Sequence, residues 1–211
     1  MIFRNREEAG RVLGSKLAED ALQGPVLFGI PRGGVIVAAA AARRLGGLLD
    51  IIVSAKIRAP YQPELGLGAV APDGSLYLDE RMIFALGVSD EYLEREIALR
   101  KEEIDRRTRA YRGERGEVPV KDRPAVIVDD GIATGGTATC AARYLRAREP
   151  SELILAVPVA PASMLAKLRE EVDRVVCLHA VEPFVAVGQW YLDFGQVSDD
   201  EVRHALEESA R

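Results

Sequence analysis

The sequence predicts an α/β protein in which helices flank a doubly wound parallel sheet. Apolar runs rich in β-branched residues alternate along the chain with segments of helical periodicity, and this alternation is typical of such a sheet. The run over 125–128 has no polar interruption, as expected of a strand buried on both faces. Two glycine-containing turns, over 31–34 and 134–137, each follow an apolar run and precede a helical segment. In this fold class, ligands bind at the carboxyl ends of the strands.

The N-terminal part of the chain is predicted to contain two helices and two strands. Apolar residues recur at helical spacing over 5–22, which predicts an amphipathic helix that ends before Gly24 and Pro25. A short apolar strand over 25–30 is followed by an alanine-rich helix that ends at Leu45. The next apolar run predicts one strand over 48–57.

The middle of the chain is predicted to contain a hairpin and a long helix. Residues 60–63 are expected to be irregular, and the alternation over 67–78 around A-P-D-G-S predicts a hairpin. The helix over 89–111 carries five acid-first pairs at i,i+4 spacing, each contributing about 0.3–0.5 kcal/mol. Its narrow apolar stripe indicates packing over the sheet edge or against a second subunit. The arginine-rich segment 106–115 is either a solvated helix end or a loop that closes over a site.

The C-terminal part continues the alternation of helices and strands. A helical segment over 138–148 is followed by predicted strands over 153–159 and 175–179, with a helix over 162–172 between them. The sequence S-D-D-E over 198–201 is a capping box, which predicts a last helix to about Glu208.

Composition limits the class of protein. The 211 residues suit a single domain over 1–211, with a helical insertion at about 79–118. A hydrophobic content of 48% is enough for a core, and a net charge of −5 argues against nucleic acid or anionic membranes as partners. No apolar segment approaches ~20 residues and the N-terminus lacks a signal-peptide pattern, so a cytoplasmic protein is expected. Cys140 and Cys177 lack metal-ligand spacing and are expected to be buried thiols.

The stretch over 125–137 carries the strongest chemical signal. Asp129 and Asp130 come directly after the buried strand, and the turn T-G-G-T over 134–137 precedes a helix. Free backbone N–H groups and the helix dipole make such a turn a site for anions. The patterns of a Walker loop and of a dinucleotide fold are both absent. A carboxylate pair beside a phosphate site suits a sugar phosphate with its metal, and the alternative is that the pair only opens a loop.

A second anion site is expected around P-R-G-G, over 31–34. Arg32 offers a bidentate donor, and Gly33 and Gly34 allow close backbone approach. Lys56 and Arg58 stand at the end of the next predicted strand, where their charges can face the same sheet edge. The alternative for the P-R-G-G segment is a plain βα turn without a ligand. The alternative for Lys56 and Arg58 is a pair of solvent-exposed charges on the surface.

The sequence V-I-V-D-D-G-I-A-T-G-G-T, over 126–137, resembles the phosphoribosyl pyrophosphate signature of the type I phosphoribosyltransferases. It departs from the signature at Gly131, where the family usually carries an apolar residue. Supporting resemblances run from about Leu27 to Phe194. The resemblance implies a type I phosphoribosyltransferase-like sheet with a small hood at about 180–196, and a non-proline cis peptide in the P-R-G-G loop.

The resemblance also implies an activity and roles for individual residues. The 5-phosphoribosyl group moves from phosphoribosyl pyrophosphate to a nitrogen nucleophile, with a nucleobase favoured as acceptor, and pyrophosphate is released. By this resemblance Asp129 and Asp130 are expected to hold the ribose hydroxyls and polarise waters on Mg²⁺, while Arg32 and Lys56 are expected to meet the departing pyrophosphate. The other implied contacts to phosphoribosyl pyrophosphate are Gly33, Gly34, Arg58, Ala133, Thr134, Gly135, Gly136 and Thr137.

The aromatic stretch over 182–194 loosely resembles the hood of the hypoxanthine–guanine enzymes. In that resemblance Phe184 stacks on the base and Asp193 faces the metal. The segment between these two positions contains one residue more than in the family. The alternative is a hydrophobic plug under the C-terminal helix, which is favoured for Trp190. Enzymes for 6-oxopurines usually carry an aspartate where Ala133 stands. This counts against hypoxanthine or guanine and leaves adenine, a pyrimidine or another acceptor open.

Three functions remain open from the sequence. The first is an active phosphoribosyltransferase, a glycosyltransferase of nucleotide metabolism. The second is a regulatory protein that binds phosphoribosyl pyrophosphate without catalysis, since one fold serves several functions. The third is a domain that binds some other phosphate. The sequence does not determine the oligomeric state, and a homodimer is one option because small proteins of such folds commonly dimerise.

Overall fold

The computed structural model describes residues 2–209 and contains a five-stranded parallel sheet. The order of its strands is β2-β1-β6-β7-β8, and all four pairings are parallel. This confirms the doubly wound parallel sheet predicted from the sequence. The strands are β1 (Val26–Gly29), β2 (Leu48–Ile51), β6 (Pro124–Val128), β7 (Glu152–Pro161) and β8 (Arg174–Val181).

Helices cover both faces of this sheet. One face buries a core with α1 (Arg6–Ala18), α2 (Gly33–Leu45) and α7 (Asp199–Glu208). The other face buries a core with α5 (Gly136–Arg146) and α6 (Ala162–Leu168). β6 lies in the middle of the sheet, and its residues Ala125–Val128 are fully buried, as its uninterrupted apolar run predicts.

Helix α1 packs directly against α2, and two glycines make this possible. A Cβ atom at Gly10 would lie 2.4 Å from the carbonyl oxygen of Val37, and one at Gly14 would lie 2.9 Å from Cα of Ala41. Helix α1 ends at Ala18, before the predicted end at Leu22, and Ala21 has a positive φ of 49°. The first helix is therefore shorter than predicted because the chain turns after Ala18.

A second, antiparallel sheet contains β3 (Ala55–Ala59), β4 (Gln62–Val70) and β5 (Leu76–Leu78). The single strand predicted over 48–57 is therefore wrong, because the chain leaves the parallel sheet after Ile51 and enters the small sheet at Ala55. The hairpin predicted over 67–78 is confirmed, with Val70 opposite Leu76. The small sheet is attached to α5, since Cys140 Sγ donates to Ala69 O and Arg143 Nη1 donates to Leu76 O.

The insertion predicted at about 79–118 contains α3 (Glu80–Ala85) and α4 (Asp90–Arg112). Leu93 and Ile97 of α4 pack on the small sheet, whereas Ile104 and Tyr111 enter the core of the parallel sheet. The apolar stripe of α4 thus packs against the two sheets of the same chain. Within residues 2–209, two of the five predicted i,i+4 pairs bring a guanidinium nitrogen within 4.0 Å of a carboxylate oxygen. These pairs are Glu96–Arg100 and Glu103–Arg107.

The arginine-rich segment over 106–115 is held against the body of the protein. Arg112 pairs with both carboxylate oxygens of the buried Asp50, at 2.9 Å and 3.1 Å. Arg115 Nη1 donates to the carbonyl oxygen of Leu206 at 2.7 Å. In this structure the segment is therefore bonded to the body of the protein, and its closure over a site stays a prediction.

The C-terminal part packs against the first residues of the described chain. A short 3₁₀ helix (Val187–Trp190) follows β8, and Trp190, His179 and Phe3 form one aromatic cluster. Trp190 therefore belongs to a hydrophobic plug, although the plug lies under the N-terminal segment instead of the C-terminal helix. The capping box of α7 is present, with Ser198 and Glu201 in both predicted bonds. Among the helices described, none combines the length and apolar character needed to cross a bilayer.

Candidate functional site

A cleft of about 460 Å³ lies between the two sheets at the carboxyl end of the parallel strands. Its inner wall comes from the parallel sheet and consists of Asp129 and residues 131–137. Its outer wall comes from the small sheet and the start of α3. The outer wall consists of Lys56, residues 64–66, Gly68, Tyr77, Asp79 and Met82.

The turn between β6 and α5 shapes the inner wall. Gly135 is the N-cap of α5 and has a left-handed φ of 75°, and a Cβ there would lie 2.7 Å from Met164 Sδ. Glycine is the residue that adopts this backbone conformation without steric cost. Thr134 is exposed and Thr137 is half-buried, and both line the cleft. The first N–H groups of α5 have no acceptor within the helix, so the turn presents donors for an anion.

The departure from the family signature at Gly131 has a structural reason. A Cβ at Gly131 would lie 2.5 Å from Cγ1 of Val187 and 2.9 Å from Cγ1 of Val159. Val187 from the 3₁₀ helix therefore occupies the space that an apolar side chain at 131 would fill. Val187 also lines the cleft, and it is the residue by which the segment over 182–194 reaches it.

The two adjacent carboxylates have different surroundings. Asp129 lines the cleft, whereas Asp130 does not. The N–H of Asp130 donates to Asp129 Oδ1 at 2.8 Å, and Asp130 Oδ2 accepts from Arg6 Nε at 2.7 Å. Burial, followed by the nearby charge of Asp130, raises the pKa of Asp129 well above its ordinary value.

The P-R-G-G loop packs directly against the acid pair. The peptide bond between Pro31 and Arg32 is cis, as the resemblance implies. A Cβ at Gly33 would lie 1.9 Å from Asp130 Oδ2, and one at Gly34 would lie 2.7 Å from Val128 O. The two glycines therefore leave room for the carboxylates. Arg32 extends away from the cleft toward Asp199, with 3.9 Å between the nearest charged atoms.

Lys56 and Arg58 lie on the exposed face of β3. Lys56 Nζ donates to the carbonyl oxygen of Glu64, and its side chain lines the outer wall. Arg58 lines a neighbouring pocket of about 370 Å³, together with Arg100 and Arg107 of α4. Lys56, Glu64 and Thr137 line both spaces, so this pocket adjoins the cleft.

Two residues implied by the resemblance lie elsewhere. Phe184 is half-buried and is not part of the cleft lining. Asp193 lines a separate surface depression, where its Oδ1 accepts from the N–H of Gly195 at 3.2 Å. Ala133 is exposed and lies on the inner wall. Within residues 2–209, no group of three or more His, Cys, Asp or Glu side chains could hold a metal ion.

Several residues at the site carry no local sequence signal of their role. Arg6 begins an ordinary charged helix, yet it reaches Asp130 from 124 positions away. Tyr191 belongs to the aromatic stretch, and its hydroxyl donates to Asp130 O at 2.6 Å. Tyr77 of β5 and Met82 of α3 form part of the outer wall. Among these residues, only Tyr191 lies in a stretch with a sequence signal, namely the concentration of aromatic residues over 182–194.

Comparisons with known proteins agree on the family. The model described as the phosphoribosyl transferase domain matches residues 2–194. Two Mycobacterium tuberculosis proteins, from strains CDC 1551 / Oshkosh and H37Rv, are each 39% identical over 210 residues and are provisionally named phosphoribosyl transferases. The alignment covers 100% of this chain and 47% of those proteins. The chain therefore spans about half the length of the curated relatives it matches.

Solved structures give the same result for the fold. The protein TT1426 from Thermus thermophilus is 42% identical, with a TM-score of 0.82 and coverage of 99% of both chains. A hypothetical protein from Neisseria gonorrhoeae, solved with bound ppGpp, is 12% identical, with a TM-score of 0.51 and coverage of 99% of this chain and 98% of its own. At that identity the likeness concerns the fold alone. From the match of residues 2–194, the chain belongs to the phosphoribosyl transferase domain family.

Proposed function

We propose that the cleft binds phosphoribosyl pyrophosphate and transfers its 5-phosphoribosyl group to a nitrogen nucleophile, with release of pyrophosphate. One arrangement carries this proposal. A carboxylate at the end of β6, an anion-binding turn at the start of α5 and the ammonium group of Lys56 line one cleft. A sugar phosphate that bears a leaving diphosphate offers a partner to each of the three.

Each part of the cleft has a proposed partner on the ligand. The turn over 134–137 holds the 5-phosphate through backbone N–H groups and the hydroxyls of Thr134 and Thr137. The acid pair at 129–130 meets the ribose hydroxyls. Lys56 and Arg58 meet the pyrophosphate, as do Arg32, Gly33 and Gly34 once the loop adjusts to the ligand. Catalysis then rests on positioning and on stabilising the charge of the leaving group.

The residues present fit a magnesium ion that is shared with the ligand. The carboxylate of Asp129 lines the cleft, and that of Asp130 follows at the next position beside it. Mg²⁺ commonly keeps several waters and binds through one or two carboxylates together with substrate phosphates. When bound with the diphosphate, it neutralises charge on the leaving group. Asp129 and Asp130 are the proposed holders on the protein side, and Asp193 and Phe184 remain predictions from the resemblance.

For the acceptor we propose a nucleobase other than a 6-oxopurine. Ala133 is on the inner wall and has no ionisable group to meet such a base. The outer wall offers Leu65, Tyr77 and Met82 as apolar or aromatic surfaces, which suit the flat face of a heterocycle. The alternative function is a regulatory protein that binds phosphoribosyl pyrophosphate without turnover.

The test is an assay of pyrophosphate release. The protein is incubated with Mg²⁺, phosphoribosyl pyrophosphate and a panel of bases. We expect release with one base or a small group of bases, and its loss in Asp129→Asn and Asp130→Asn. Asp105→Asn is the matched control, because Asp105 is an exposed residue of α4 outside the cleft. Tight binding without turnover for every base supports the regulatory alternative, and absence of binding contradicts both.

A further inference from the structure

The side chain of Arg6 ties the second carboxylate of the acid pair to the C-terminal part of the chain. Arg6 Nε donates to Asp130 Oδ2 at 2.7 Å, and only 12% and 16% of the two side chains are exposed. Arg6 Nη1 donates to the carbonyl oxygen of Gly195 at 2.8 Å. The guanidinium carbon lies 3.9 Å from the centre of the Phe194 ring. A guanidinium group makes such planar, many-sided contacts, and an ammonium group does not.

The backbone of Asp130 is held from the same side. The hydroxyl of Tyr191 donates to Asp130 O at 2.6 Å. The ring of Phe194 stacks on that of Tyr191, with centres 5.0 Å apart and planes inclined by 28°. Arg6, Tyr191 and Phe194 therefore form one unit, called the Arg6 clamp below, which contacts both the side chain and the backbone of Asp130.

The Arg6 clamp holds the carboxylate of Asp130 tightly against the backbone of the P-R-G-G loop. A Cβ at Gly33 would lie 1.9 Å from Asp130 Oδ2 and 2.6 Å from Arg6 Nε. The ion pair is thus packed against the backbone of Gly33. Asp129, in contrast, has no arginine partner within 4.0 Å among the residues described and lines the cleft. The two neighbouring acids are therefore divided into one that faces the ligand space and one that is held beside it.

We infer that Arg6 is a positioning residue for the acid pair, and this inference rests on the proposed function. Two unpaired carboxylates at successive positions repel each other. Arg6 balances the charge of Asp130 and fixes its place against Gly33, so Asp129 presents its carboxylate to the ligand in a defined position. The residue acts through Asp130 and does not line the cleft itself. It lies outside the 126–137 signature, in a helix whose sequence gives no indication of a role.

The experiment is a double-mutant cycle read by ligand affinity. Affinity for phosphoribosyl pyrophosphate with Mg²⁺ is measured by calorimetry for the unsubstituted protein, Arg6→Gln, Asp130→Asn and the double variant. We expect each single substitution to weaken binding about tenfold, the effect of losing one charge-assisted contact. The double variant should be no weaker than Asp130→Asn alone, because Arg6 acts through that carboxylate. Independent losses that multiply in the double variant would overturn the inference.

Two further variants separate positioning from general stability. Arg6→Lys keeps the charge but lacks the flat fork that reaches Asp130, Gly195 and Phe194 together, so its affinity should fall between those of the unsubstituted protein and Arg6→Gln. Arg11→Gln is the control, since Arg11 is an exposed arginine on the same helix, and it should bind as the unsubstituted protein does. Binding by Arg6→Gln within twofold of the unsubstituted protein rejects the positioning role alone. Absence of binding by the unsubstituted protein rejects both the role and the proposed function.

Discussion

The two walls of the cleft are built in different ways. The inner wall is the end of a fully buried central strand and a glycine turn, and its residues Gly131, Ile132, Gly135 and Gly136 are buried or lie close against neighbouring side chains. The outer wall comes from the three-stranded sheet and the start of α3, and its Lys56 and Glu64 are exposed or half-buried, as are Tyr77, Asp79 and Met82. The comparison indicates that the turn proposed to hold the 5-phosphate is fixed by the core of the fold. The other end depends on the small sheet and α3, whose cleft-lining side chains are more exposed.

The largest effect is expected where the outer wall depends on one glycine. Gly68 has a φ of 156°, and a Cβ there would lie 2.0 Å from the backbone oxygen of Tyr77. Gly68→Ala forces β4 and β5 apart, and we expect a loss of about 3 kcal/mol or more in the free energy of unfolding. Chemical denaturation followed by circular dichroism measures it.

Gly116→Ala is the matched control for that substitution, because a Cβ at Gly116 has no atom within 4 Å. It should leave the stability nearly unchanged. A Gly68→Ala protein as stable as this control would show that the outer wall does not need the close approach of its two strands.

A second pair of variants assigns one measurement to each wall. Thr134→Val removes a hydroxyl from the inner wall and should weaken binding of ribose 5-phosphate about tenfold, through loss of a hydrogen bond to a charged group. Met82→Ala removes apolar surface from the outer wall and should raise KM for the accepted base about tenfold. Each variant should leave the other quantity within twofold. Equal effects of Met82→Ala on both quantities would contradict the division of the cleft into a phosphate end and an acceptor end.

The smallest effect concerns the stability of the inner wall as a function of pH. The pKa of Asp129 is raised in the folded protein by burial and by Asp130. The stability that protonated Asp129 contributes to the folded state is therefore fully present below the unfolded pKa of about 4. This stability is lost as the pH rises through the pKa of Asp129 in the folded protein. Asp129→Asn should raise the thermal midpoint of the ligand-free protein at neutral and alkaline pH, with the gain shrinking as the pH falls.

Thermal unfolding in a chelating buffer across this pH range measures the effect. Asp105→Asn, an exposed residue of α4, provides the control. A difference between Asp129→Asn and the unsubstituted protein that does not change with pH would show that the carboxylate is not titrating in the range that its burial implies.

Sequence patterns were informative where a local arrangement decides the structure. The strand over 125–128, the glycine turn after it and the capping box at Ser198 are set by neighbouring residues, and all three are present. The strand predicted over 48–57 was wrong because its apolar pattern does not change where the chain passes from one sheet to the other. The contact of Arg6 with Asp130 joins residues that are distant in sequence. No local pattern contains that information.

The glycines between α1 and α2 affect the chemistry at a distance. Because Gly10 and Gly14 allow α1 to touch α2, the helix that begins with Arg6 has a fixed tilt relative to the helix that follows the P-R-G-G loop. A larger side chain at position 10 would wedge the two helices apart and swing the guanidinium group away from its carboxylate. The position of the carboxylates of the acid pair thus depends on the spacing between α1 and α2, away from the cleft. A survey of ligand-facing residues would overlook the glycines that set this spacing.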